Sequence, residues 1–198
     1  ASENVNIILH GTTIATNSLL QRRGARTALI TTEGFRDVLE IGRQIRPSLF
    51  DWRAEKPPSL VPRRRRFELH ERVIADGSVM VEPSDEDFEK VVEKTLASKP
   101  EAVAVSLLFS FLNPAYEERL LEELLKRQPD LSVSLSSRVL PEYREFERTS
   151  TTVANAFTTP VLTNYSAKLE GALGERGLAA QLRLLQSNGG IGTVDALS

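Results

Sequence analysis

The residues best suited to chemistry gather in four short clusters. His10-Gly11-Thr12-Thr13 follows the apolar run Val5-Asn6-Ile7-Ile8-Leu9, and Ser187-Asn188-Gly189-Gly190 follows Leu182 to Leu185. Glycine at such a place lets a ligand approach the main chain. Free amides at a helix start favour an anion, and in sheets covered by helices ligands gather beyond the carboxyl ends of strands. Both clusters therefore suit an anion or nucleotide cleft, although many strand-to-helix turns share the pattern and bind nothing. Gly42-Arg43-Gln44-Ile45-Arg46-Pro47 opens a loop, where an arginine fork can grip a carboxylate or phosphate at two points. A salt bridge to Asp37 or Glu40 is the alternative that needs no ligand. Glu145-Phe146-Glu147-Arg148-Thr149-Ser150-Thr151-Thr152 is the fourth cluster. Its ligand-free reading is a helix start with hydroxyl caps and ion pairs, Arg148 turning to Glu145 or Glu147.

Other chemistries are poorly served. The chain has no cysteine, which excludes disulfides, thiolate zinc sites and cysteine nucleophiles, and is compatible with a reducing compartment. Only His10 and His70 are present, so a histidine-rich metal site is not expected. His70 lies in an alternating stretch and reads as structural, whereas His10 stands at a strand end. There is no Walker lysine loop, no Gly-x-Gly-x-x-Gly and no Gly-x-Ser-x-Gly. With 40% hydrophobic and 26% charged residues and a formal net charge of -2, the 198 residues have the composition of a soluble globular protein. That balance does not favour nucleic acid or an anionic membrane as a bulk partner. No apolar run approaches the roughly eighteen residues of a membrane span. Arg63 to Arg66 is read as a solvated loop end after Pro57, Pro58 and Pro62, with a polyanion patch as its rival.

The elements that position these clusters follow from the hydrophobic pattern. Val5–Leu9 reads as a buried strand. A helix capped by Thr12 or Thr13 and ended by Gly24 follows, then a strand over 26–32, suggesting a β-α-β unit with both strands in one sheet. A short helix spans 36–40, and a loop with four prolines covers 42–66. Strands follow at 67–73 and 79–81 around Asp76-Gly77. Ser84 and Asp87 form a capping box for a helix facing inward through Phe88, Val91, Val92 and Leu96. The unbroken apolar run 102–109 predicts a strand buried on both faces. Asn113-Pro114 opens a helix with Leu120, Leu121, Leu124 and Leu125 inside. A strand over 131–139, a long helical stretch over 142–176 bent or broken near Pro160, and a strand over 182–185 complete the chain.

In this order, HGTTIATNSLLQRRGARTALITTEGFRDVLEIGRQIRP (10–47), SSRVLPEYREFERTSTTVANAF (136–157) and LLQSNGG (184–190) resemble the hydantoinase A/5-oxoprolinase family, which also contains ATP-using subunits of acetone and acetophenone carboxylases. The chain departs from the family at Tyr116, where histidine is common. The resemblance implies an α/β fold, a mixed sheet with flanking helices like part of an actin/sugar-kinase-type ATPase lobe. Residues 1–136 would belong to the family's N-terminal region and 137–198 to the start of its core domain. The implied function is part of an ATP-dependent hydrolase opening a hydantoin or 5-oxoproline ring; the alternatives are an ATP-using carboxylase subunit or a non-catalytic assembly domain. Phosphorylation of an amide or enolate oxygen would activate the substrate.

The resemblance places Arg148, Thr149 and Ser150 at the chemistry. At the cleft it places His10, Gly11, Thr12, Thr13, Arg43, Gln44, Ser187, Asn188, Gly189 and Gly190. ATP and Mg²⁺ are the implied cofactors, with no metal ligand in this stretch. A hydantoinase B-like partner subunit, a possible homo-oligomer and a cytoplasmic location are implied too, with no nucleic-acid or membrane partner. The family's glycine-rich Asp-x-Gly-Gly-Thr segment does not occur, so the resemblance reads as an internal fragment, inactive by itself.

Overall fold

The computed structural model describes residues 5–45, 48–178, 180–185 and 190–193. In chain order the elements are β1 (Ile7–Gly11), α1 (Ile14–Gln21), β2 (Thr27–Thr32), α2 (Val38–Ile41), β3 (Arg66–Leu69), β4 (Arg72–Val73) and β5 (Val79–Val81). Then come α3 (Asp85–Ala97), β6 (Ala102–Ser106), α4 (Ala115–Arg127), β7 (Ser132–Leu135), α5 (Ser136–Val139), α6 (Glu145–Glu175), β8 (Gln181–Leu185) and β9 (Ile191–Gly192). The fold is mixed α/β. It divides into two compact units, Arg26–Phe157 and Ala1–Ala25 with Thr158–Ser198. The expected division at 136/137 follows the family's sequence regions; the compact units divide the chain elsewhere.

The unit of residues 26–157 is built on a parallel four-stranded sheet of order β3-β2-β6-β7. β2 and β6 are its inner strands, and every residue of both is buried. That is why their sequences, TALITT and AVAVS, carry no charge and, apart from Leu29, are β-branched or small. α3 and α4 cover the sheet with Phe88, Val91, Val92, Leu120 and Leu124, in one core with Ile30, Leu69, Val103, Val105 and Leu135. α3 starts on the predicted capping box: Asp87 N–H donates to Ser84 Oγ, and Ser84 N–H donates back to the Asp87 carboxylate. α4 opens at Asn113-Pro114 as expected, but Pro114 stands at the N-cap, one position before the helix proper, and no side chain caps the start; Asn113 Oδ1 accepts from Ala115 N–H at 3.3 Å. β4 and β5 form a separate antiparallel hairpin around Gly77.

In the second unit the order is β1-β8-β9, with β1 parallel to β8 and β9 antiparallel to it.

Several expectations are corrected. β1 and β2 do not share a sheet: β1 pairs with β8 and β2 with β3 and β6. Period alone shows that a segment is a strand and carries no information about which strand it joins. β1 is also shifted to Ile7–Gly11, and it alternates rather than being buried, Ile7 and Leu9 being more than half exposed. α1 ends at Arg22, which adopts the left-handed conformation (φ 54°) expected of Gly24, and Thr13 makes no side-chain cap. β6 stops at Ser106, and the rest of the apolar run turns, with Phe109 at φ 53°. The 131–139 run splits into β7 and α5. Arg66 is no solvated loop end: it begins β3, is 2% exposed, and donates to Val61 O, Arg36 O and Glu40 Oε1. α6 runs without a break through Pro160. The proline forfeits the bond to the Ala156 carbonyl, and buried Val153, Ala156 and Phe157 hold the helix in place beside it.

Since Val105 is fully buried in an inner strand, Val105→Ala is expected to destabilise the protein by roughly 1–3 kcal/mol through lost burial and a residual cavity. Urea unfolding would show a lower midpoint at unchanged slope; an unchanged midpoint would contradict this packing.

Candidate functional site

Parallel strands gather their carboxyl ends at one sheet edge, and in the 26–157 unit that edge is polar and buried. Thr32 ends β2, Ser106 ends β6, and Ser136 follows β7. All three are buried, as are Glu71, Ser110, Glu117, Arg148 and Thr149. At its centre is Leu107, the first residue beyond β6. Its N–H donates to Glu117 Oε1 at 2.9 Å, and its carbonyl accepts from Arg148 Nη2 at 2.7 Å. Glu117 reaches inward from α4. The same carboxylate accepts from Ser136 Oγ (2.7 Å) and from Ser137 N–H (2.9 Å), so it also ties down the start of α5. Leu108 N–H donates to Thr32 Oγ1 at 2.9 Å, and Thr32 in turn donates to Glu71. Ser106 and Ser110 bond Thr149 (2.8 Å) and Ser136 (2.9 Å) through their hydroxyls. The turn after β6 is thus fixed by four neighbouring segments.

Arg148 is 2% exposed. Its second nitrogen, Nη1, donates to the Glu142 carbonyl at 2.9 Å, and its guanidinium lies 5.3 Å from the centre of the Phe111 ring. Burial pulls its pKa down, opposed by Glu117 and Glu145. Of the two carboxylate partners expected for it, Glu147 pairs with Arg43, and Glu145 acts on it through its charge without forming an ion pair. Ser150 and Thr152 donate to the carbonyls of Glu147 and Arg148 instead of capping the helix start, the back-bonding that short hydroxyls favour inside helices. Arg43 and Gln44 follow Gly42, whose φ of 54° and ψ of -138° suit only glycine. Both are exposed, and Gln44 is itself left-handed at φ 58°.

In the other unit, His10 lies within β1, opposite Leu184 of β8, rather than beyond the strand. Its Nε2 is 2.8 Å from the Tyr165 hydroxyl on α6. Thr12 Oγ1 accepts from Ile14 N–H at 3.2 Å and Thr13 Oγ1 accepts from Asn17 Nδ2 at 3.2 Å, so both hydroxyls serve the start of α1. Gly11 pairs with Leu185 at the carboxyl end of both strands. Ser187, Asn188 and Gly189 lie outside the described residues, and Gly190 precedes β9.

The structure therefore joins Arg43 to the Arg148 helix, joins Thr149 and Arg148 to the edge beyond β6, and sets His10 to Thr13 in a different unit. The sequence reading missed Thr32, Glu71, Ser106, Ser110, Glu117, Ser136 and Tyr165. Glu117 had a signal: it stands three residues before Leu120 and seven before Leu124, a charge on the buried stripe of an amphipathic helix. His70 is exposed and pairs with Glu33, which raises its pKa above the ordinary 6.5. Tyr116 packs on Phe88, ring centres 6.1 Å apart, and burial raises its phenol's pKa. Among the described residues no three His, Asp or Glu side chains converge as a metal site, and no helix is long and apolar enough to cross a membrane.

Comparison with known proteins gives a consistent picture. The family model for the hydantoinase/oxoprolinase N-terminal region matches residues 1–128, and that for hydantoinase/oxoprolinase matches 148–198. The caprolactamase subunit alpha of Pseudomonas jessenii is 33% identical over 94% of this chain and 27% of its own length. The crystal structure of ATP-dependent caprolactamase from that organism superposes with a TM-score of 0.85 over 96% of this chain and 28% of its own. The 5-oxoprolinase 1 of Arabidopsis thaliana is 33% identical over 96% of this chain and 16% of its own length. A nucleotide-free acetone carboxylase structure, 25% identical, superposes with a TM-score of 0.79 over 96% of this chain and 28% of its own. The chain thus spans under a third of the length of these relatives.

Glu71, 2% exposed at the polar edge, offers a test of that edge. Burial pushes its pKa above 4.5, outweighing the hydrogen bonds from Thr32 and Val73 and the charge of Arg72. A carboxyl raised on folding contributes stability that is full below its unfolded pKa and is lost as pH rises through the folded one. Glu71→Gln cannot ionise, so its stability relative to wild type should improve as pH rises from about 4 to 7. Parallel pH profiles of unfolding free energy would contradict the buried carboxyl.

Proposed function

The chain belongs to the hydantoinase/oxoprolinase family, and from that premise we propose that it is part of a cytoplasmic, ATP-dependent enzyme that opens a cyclic amide such as a hydantoin or 5-oxoproline. The observation that carries the reading is its equal likeness, 33% identity over nearly its whole length, to a caprolactamase subunit and to a 5-oxoprolinase. Both are named for acting on a lactam ring. ATP would supply a phosphoryl group to the amide oxygen, which makes the ring carbon electrophilic enough for water to add and the C–N bond to break, leaving the acid, the amine and phosphate.

We assign a ligand-binding role to His10, Gly11, Thr12, Thr13 and Gly190 in one unit, to Arg43, Gln44, Arg148, Thr149 and Ser150 in the other, and, from the sequence, to Ser187, Asn188 and Gly189. The hydroxyls and first-turn amides around Thr12 and Thr13 fit a phosphate chemically. No acidic cluster fits Mg²⁺ among the described residues, so no step is derived through the metal. In the other unit, the fixed edge beyond β6 serves as a rigid support rather than as a reacting group. Its charges are buried and engaged by main-chain atoms. A separate subunit of the hydantoinase B type and a homo-oligomer are further parts of the proposal. The caprolactamase relative, itself named a subunit, supports the first of them.

Incubating the full-length gene product with ATP, Mg²⁺ and a panel of hydantoin, 5-oxoproline and caprolactam tests the reading. The expected result is phosphate release that depends on one of these lactams, with an equal amount of ring-opened acid. Ketone consumption dependent on bicarbonate, without lactam turnover, would overturn it in favour of a carboxylase subunit.

A further inference from the structure

The hydrogen bond between His10 and Tyr165 joins a residue of β1 to one 155 positions later on α6. Its 2.8 Å length involves Nε2, and the rings lie 5.7 Å apart at 31°, a tilted contact rather than a stack. Both side chains are partly buried. A phenol and an imidazole can bond in two senses, O–H to nitrogen or N–H to oxygen. The phenol is the stronger acid of the two neutral donors and the imidazole nitrogen the stronger base of the two acceptors, so O–H to nitrogen is the matched sense. We propose that Tyr165 is a positioning residue that donates to His10 Nε2 and thereby keeps the imidazole proton on Nδ1.

In water an imidazole favours its proton on Nε2, so this tautomer is imposed by the fold. The consequence is chemical. With Nε2 engaged, the nitrogen left to His10 is Nδ1–H, a donor. One residue from the carboxyl end of β1, such a group suits an oxygen acceptor, whether a phosphoryl or an amide carbonyl oxygen, and does not suit removal of a proton. This functional half rests on the ligand-binding role assigned to His10; the tautomer itself does not.

The tautomer is read directly from long-range ¹H–¹⁵N correlation spectra of the ¹⁵N-histidine-labelled chain, recorded well above the histidine titration. Only two histidines contribute, and His70→Gln identifies the other. The expected spectrum places His10 Nε2 at the unprotonated and Nδ1 at the protonated position. Tyr165→Phe keeps the ring and should keep the melting temperature near wild type, while moving most of the proton to Nε2. A wild-type spectrum with protonated Nε2, or a Phe variant with an unmoved tautomer, overturns the proposal, and neither outcome depends on any activity. In the lactam assay, Tyr165→Phe should lower kcat roughly tenfold with little change in KM for ATP. A moved tautomer with unchanged kcat would show that the histidine's orientation serves packing alone, which also overturns the positioning role.

Discussion

Leu107 lies between two buried charged groups. Glu117 takes its N–H and Arg148 takes hold of its carbonyl, so an anion and a cation address the peptide units on either side of one residue. They form no direct ion pair; main-chain dipoles intervene. Each charge alone would cost several kcal/mol to bury; three hydrogen bonds meet Glu117 and two meet Arg148, whose Nε is left without a hydrogen-bond partner. The arrangement fixes where the chain goes on leaving the most buried strand, and the remaining polar edge is built outward from it. Thr32 secures Leu108, Ser136 links Ser110 to Glu117, and Thr149 secures Ser106. Because Glu117 also receives Ser137 N–H, the same carboxylate stops β7 and turns the chain into α5.

A fixed edge of this kind suits catalysis that depends on placement. Phosphoryl transfer needs its groups held still more than it needs reactive side chains, and preorganised dipoles act without reorganising during the reaction. Arg148 illustrates the trade. Two main-chain carbonyls occupy its fork, which ties the first turn of α6 to the segment after β6. Arg43, reaching Glu147 on the same turn, adds a more exposed and weaker tie.

Much of this is legible in the sequence. The strands expected over 26–32 and 102–109 and found at 27–32 and 102–106, the Ser84–Asp87 box and the helix opened by Asn113-Pro114 are local signals, and local chemistry produced them. What was not legible is pairing and direction. Nothing in the residues 7–11 reveals that their partner is 181–185. Nor does the apolar run ending at Phe109 reveal that its last residues turn, since Leu107 is buried in either conformation and what bends the chain is Glu117, ten residues on. Arg66 looked solvated because it closes a run of arginines, yet it starts a strand with its head against Val61 O and Glu40. Arg148 was visible as a dense polar site; that its partners would be carbonyls and not carboxylates depends on a fold that places Leu107 above it.

The double-mutant cycle of Glu117→Gln and Arg148→Met, followed by chemical unfolding, tests most directly whether the two charges act as a unit on Leu107. Each single change should cost about 2–4 kcal/mol, since it leaves the other charge buried without its counterpart. The double variant should cost less than the sum by at least about 1 kcal/mol. Additive effects, within about 0.5 kcal/mol, would mean that the glutamate and the arginine serve separate segments and that no shared clamp holds the turn beyond β6.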